Sequence, residues 1–187
     1  MMRGRKRKPG RRTACGRLAN EETEREAMAT VLKARARHFA VSIREARDPR
    51  LGTALGRLNY QGRISDEQYQ AGLTFGELYQ SHHRTMGLPT PSPRSVAGLL
   101  INEGIFGGSG ASHSDDDLRR LRERFDEAAD ALDACDRDHR LCEGRRPALL
   151  VYQIVCVDED ARDWPDEDIG NLRVALNALG RVLGLIR

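Results

Sequence analysis

With 187 residues, 31 Lys and Arg and 28 Asp and Glu, the chain is long enough to bury its own core without disulfide or metal staples. Its formal charge of +3 hides a division: the first 17 residues carry Arg3, Arg5, Lys6, Arg7, Lys8, Arg11, Arg12 and Arg17 and no acid, so that 23 bases remain elsewhere against all 28 acids. A body this acidic excludes a broad basic face and confines attraction for phosphate to one end.

The opening stretch, residues 1–19, is expected to be a disordered basic tail. In "RGRKRKPGRR", glycine and proline between the basic residues keep the chain extended and narrow. An extended Arg-rich segment fits the minor groove of A·T-rich DNA, and its alternatives are an address label or a solvated arm.

Residues 20–86 form an expected N-terminal helical region. Asn20 is placed to cap a helix that begins with Glu21, Glu22 and Glu24 and moves to Lys33, Arg35 and Arg37, matching the helix dipole. Met28, Val31, Leu32 and Phe39 give it a narrow apolar seam, broken by Arg35, which needs a partner. Ser42 with Glu45 and Ser65 with Gln68 are capping-box pairs. They predict a short helix over 42–47 and a longer one from about 66 to 84, with another near 50–61 between the stops at Pro49 and Gly62. On the longest helix Tyr69, Leu73, Gly76 and Leu78 or Tyr79 are expected to face inward, and Gly72 with Gly76 makes a flat patch for a close neighbour.

Residues 87–113, with Pro89, Pro91, Pro93, Gly104, Gly107, Gly108 and Gly110, mark a hinge holding one short helix, about Pro93 to Glu103. Ser92, Arg94 and Ser95 would stand at its N-terminus, which makes Arg94 the candidate for contact with base edges in a major groove. The glycine-rich run that follows has neither the Lys-Ser or Lys-Thr pair nor the preceding strand of a phosphate loop.

Residues 114–187 form the C-terminal helical region. Ser114 caps three aspartates, and Leu118, Leu121, Phe125, Ala128, Leu132 and Cys135 recur at three and four as far as about Asp136. "RRPALLVYQIVCVDED" suits a buried strand by its β-branched content and a buried helix by Pro147 in a first turn; helices on both sides favour the helix. Ile169, Leu172, Leu176, Leu179 and Leu183 line one side of the last helix. The fold class is therefore all-α, a compact helical cluster.

Little in this pattern suggests chemistry. Cys135, His139 and Cys142 invite a zinc reading, but no CxxC pair accompanies them, and Cys135 and Cys156 extend apolar runs; neither a metal nor a cofactor is expected. Asp115, Asp116 and Asp117 point in different directions around a helix, as first-turn charge does. Asp158, Glu159, Asp160, Asp163, Asp166, Glu167 and Asp168 look like a solvated acidic turn, or a contact surface for a basic partner. His82 and His83 suit a helix C-terminus when protonated, and no nucleophile stands with them to form a triad. No catalytic residue is assigned. The cysteines, Cys15 included, lack a signal peptide and scaffold spacing, and the longest apolar run, Pro147 to Val157, is interrupted by Gln153; a cytoplasmic location and no membrane partner are expected.

"LGTALGRLNYQGRISDEQYQAG", then "LRRLRERFDEAADAL", a buried run ending in Cys156 and a final "LRVALNALGRVLG" resemble helical proteins of alphaproteobacterial phages and prophages. The same order of patterns, over residues 50–80 and 115–185, is similar to the helical domain of the transcriptional activators that control gene transfer agents. That resemblance implies DNA and RNA polymerase as partners, although the chain lacks an obvious additional DNA-binding domain. The function expected is a non-enzymatic, DNA-associated regulator of phage or prophage origin, with its acidic body meeting a protein. The alternative is a structural packaging component such as a small terminase subunit, in which the exposed sides of 114–136 and 168–185 build a homo-oligomer.

Overall fold

The computed structural model describes residues 21–89, 114–139 and 143–186. Among these residues every regular element is helical and no strand occurs. Asn20, residues 1–19, the helix expected from Pro93 and the glycine-rich run lie outside the described residues. The chain divides into two compact units at Asp48 and Pro49.

In the first unit, helix α1 (Glu21–Phe39) ends where Ala40 adopts a left-handed conformation (φ 53°), and Val41 N–H donates back to the Ala36 carbonyl. The Ser42 pair forms as expected: Ser42 N–H donates to Glu45 Oε2 (2.8 Å) and Glu45 N–H to Ser42 Oγ (3.2 Å). The helix expected over 42–47 is nevertheless only a 3-10 turn, Glu45–Arg47, because Asp48 precedes a proline and is driven to an extended ψ of 122°. Arg35, the residue off type on the α1 seam, donates to the Ala46 carbonyl (3.2 Å), tying the turn to the helix. The seam is not covered along its length: Met28 is 60% and Val31 53% exposed.

The second unit carries the main core. The helix expected near 50–61 is two pieces, a 3-10 turn Pro49–Gly52 and α2 (Ala54–Tyr60). Thr53 separates them with an extended backbone, accepts from Gly56 N–H through its side chain, and leaves Ala54 N–H to Asp158 Oδ1 (2.6 Å). Gly62 (φ +68°) makes the left-handed turn into α3 (Asp66–Met86), where Ser65 and Gln68 form the expected capping box. Gln68, Ala71, Gly72, Phe75 and Leu78 are the buried residues of α3. Leu73 is 36% exposed, contrary to expectation, because the buried stripe runs through the glycine. The close approach at the glycines is as expected: a Cβ on Gly72 would press on Leu55 Cδ2 (2.6 Å), and one on Gly76 on Val155 Cγ1 (2.9 Å).

Helix α4 (Asp115–Asp138) starts at a Ser114–Asp117 capping box and runs one residue pair beyond the expected end. The undecided 147–157 stretch is helical: α5 (Pro147–Val151) continues as a π turn, Tyr152–Cys156. Arg146 offers no capping side chain, so Asp136 of α4 serves instead, its Oδ1 accepting Ala148 N–H (2.9 Å). Helix α6 (Asp166–Val182) packs on α3, α4 and α5, and its Leu172, Ala175, Leu176 and Leu179 have no exposed surface. Thus α2 and α3 share one core with 114–186, across the hinge that the sequence places between them.

On α6, Gly170 has open space where a Cβ would stand. Gly170→Ala should therefore stabilise the protein by about 0.5–1 kcal/mol through helix propensity alone, read as a rise in the urea midpoint. An unchanged or lower midpoint would show that the site is not open.

Candidate functional site

The nucleic-acid-binding candidates Arg3, Arg5, Lys6, Arg7, Lys8, Arg11, Arg12, Arg17 and Arg94 all lie outside the described residues. The described residues show the body such contacts would serve, and its chemistry is concentrated at three places.

The first is the outer side of α4. Glu123, Asp126, Glu127, Asp130 and Asp133 follow one another at three and one residues, which puts them on the side opposite the buried Ala128 and Leu132, and all five are exposed. Arg119, Arg120, Arg122 and Arg124 precede or interleave with the start of this ridge, and Arg119 reaches Asp116 (3.0 Å) and Glu123 (3.8 Å) in solvent, while beyond Arg124, as far as Asp133, the ridge carries acids only. Exposed pairs of this kind hold little energy and leave the ridge negative. Such a face repels phosphate and suits a basic protein surface.

The second is the acidic run 158–168, which is not the uniformly solvated turn the sequence suggests. Asp163 and Glu167 are exposed, but Asp158 (φ 56°) turns its carboxylate onto the start of α2, and Asp168 is 3% exposed. Asp168 Oδ1 accepts Arg145 N–H (2.7 Å) and Oδ2 accepts Arg145 Nε (2.8 Å). The same guanidinium donates through Nη1 to Gln153 Oε1 (2.9 Å) and lies 4.3 Å from the Trp164 ring centroid. Asn171 Nδ2 completes the arrangement by donating to the carbonyls of Glu143 (3.0 Å) and Arg145 (3.1 Å). Gly144 (φ +91°) is held so closely that a Cβ there would meet Asn171 Nδ2 and Asp168 Oδ1, both at 2.8 Å. These bonds hold the α4–α5 connection to α6 and act as a structural clamp.

The third is an aromatic and histidine cluster that sequence reading missed. Tyr79, His82 and His83 recur at three and four on α3, and that spacing was the available signal. His82 stacks on Phe125 of α4 (4.0 Å, 2°), His83 on Tyr79 (4.0 Å, 26°), and Tyr152 meets Tyr79 edge-on at 6.2 Å. His83 Nδ1 lies 3.0 Å from the Pro89 carbonyl oxygen. Burial pushes the Tyr79 hydroxyl up to about 12, with Cys156 and Tyr152 adding to it. Burial likewise pushes the Cys156 thiol up to about 12, which favours its protonated form. His82 does not favour its cation at the helix end as expected: burial first, then His83, hold it below the usual imidazole value.

Cys135 is also pushed up by burial and by Asp138 and Asp136, while Cys142 lies outside the described residues. Among the described residues no three His, Cys, Asp or Glu side chains are placed to share a metal ion, and no helix is long and apolar enough to cross a membrane. The chain matches no protein-family model, no curated protein and no solved structure.

Proposed function

We propose that the chain is a non-enzymatic, DNA-associated regulator of phage or prophage type that acts on transcription in the bacterial cytoplasm. Its basic N-terminal stretch holds duplex DNA, Arg94 reads a base edge, and its acidic helical body meets a protein such as RNA polymerase. The observation that carries this reading is the separation of charge: eight bases and no acid in the first 17 residues, against 23 bases and 28 acids in the rest. The exposed carboxylates of α4 support it, since they suit a basic protein surface and leave DNA to the other end.

Duplex affinity of the full chain, compared with that of a chain starting at Glu21, tests the reading. The shortened chain should lose most of its affinity at low salt, because the phosphate contacts supply the sequence-independent part of binding. Equal affinity, or no binding by either, ends the proposal.

One observation favours the packaging reading instead. Val174 (55%), Val182 (41%) and Leu185 (42%) leave apolar surface at the outer side and end of α6, in the region where an assembly seam is expected. Light scattering on the full chain at micromolar concentration separates the two: a ring of subunits favours packaging, and a monomer excludes it.

A further inference from the structure

The seam between α3 and α4 contains a ring whose charge state bears directly on its packing. His82 lies flat on Phe125, and its Nδ1 has no accessible surface and no hydrogen-bond partner among the described residues. A neutral imidazole tolerates this position with Nδ1 as a bare acceptor. A protonated ring places an N–H at the same point with no acceptor for it among the described residues.

Among the described residues the neighbours do not supply the missing partner. On α3 the neighbours are His83 and Tyr79; on α4 they are Arg122 and Asp126; beyond Tyr79 stand Tyr152 and Cys156. Arg122 is held by Met86, with Nε and Nη2 each 3.3 Å from its Sδ, and its charge opposes a second cation. Asp126 acts in the other direction and is outweighed by burial and His83. The attraction of a cation to the Phe125 face also favours protonation, without giving the Nδ1 proton an acceptor.

We propose that the His82–Phe125 stack is a pH-sensitive latch, and that protonation of His82 releases the first half of α4 from α3. Because the ring binds its proton less readily when the seam is closed, the stabilisation is complete above about pH 6.5. It is lost as pH falls through that value, where the opened state takes the proton first. The consequence is a helix whose acidic outer face is presented on a firm or a loosened support according to pH.

Amide hydrogen exchange of the full chain between about pH 7.5 and about pH 5, corrected for the intrinsic rate, tests the latch over residues 118–130. The opening constant should rise below about pH 6.5, by at most about tenfold per pH unit for one proton. His82→Phe should remove the rise, whereas His139→Gln, replacing the ring with an unpartnered Nε2 at the far end of α4, should retain it, and His83→Gln should retain it in reduced size because one like charge is lost. No rise in the wild type, or the same rise in His82→Phe, overturns the proposal. Should His82→Phe fail to fold, the imidazole titration of wild-type His82 by NMR decides: a midpoint below about 6.5 sustains the latch, and one at or above it overturns the latch.

Discussion

Arg145→Ala is expected to lower the unfolding free energy by about 3–5 kcal/mol, because it leaves the Asp168 carboxylate buried with only a backbone N–H to answer it. The guanidinium also fills space over Trp164 and satisfies Gln153, so the truncation removes three interactions at once. Asp168→Asn should cost less, about 1–3 kcal/mol, since the Arg145 side chain is 32% exposed and water reaches the charge left behind. Arg145→Lys should not restore the loss, because one ammonium cannot serve a carboxylate and an amide from two separate directions. Arg63→Ala, facing the fully exposed Asp166, is the comparison and should cost no more than about 1 kcal/mol through that pair. Urea denaturation reads all four, and a loss below about 1 kcal/mol for Arg145→Ala would show that the clamp does not hold α6 to the α4–α5 connection.

Among the glycines of the described residues, Gly56→Ala is expected to be the most damaging methyl addition, costing about 2–3 kcal/mol even after the gain in helix propensity. A Cβ at Gly56 overlaps the carbonyl oxygen of Arg50, which is backbone of the preceding 3-10 turn and can move only if that turn is rebuilt. Gly76→Ala presses on a single methyl of Val155, which a small side-chain movement relieves, so its effect should stay within about 1 kcal/mol. Thermal unfolding of the two variants checks the contrast. Equal midpoints would mean that α2 is free to slide on the turn before it.

These two sites mark the boundary of what the amino-acid order reveals. The starts of α3 and α4 are legible because a capping box is written in four consecutive residues, as in Ser65–Gln68, and the buried sides of α4 and α6 because their apolar residues keep a strict period. Gly72 and Gly76 were also legible as a place of close approach, since the absence of a side chain allows little else in a helix. By contrast, nothing local distinguishes Asp168 from Glu167 or Asp158 from Glu159. Their roles are set by Arg145, 23 residues away, and by Ala54, 104 residues away. The Ser42 box shows the opposite failure: its hydrogen bonds form, but the proline that follows allows only one turn. The histidine cluster was hidden for a further reason, because Phe125 belongs to another helix and His82 and His83 alone look like ordinary last-turn cations.

The most direct test of the account is the salt dependence of duplex binding by the full chain. Eight clustered cations can displace up to about seven condensed counterions at about 0.9 per phosphate contact. The logarithm of the affinity should therefore fall against the logarithm of salt with a slope between about −4 and −7, representing half to nearly all of those contacts. A slope flatter than about −1, or no measurable binding at low salt, would contradict the central claim that the basic N-terminal stretch holds DNA.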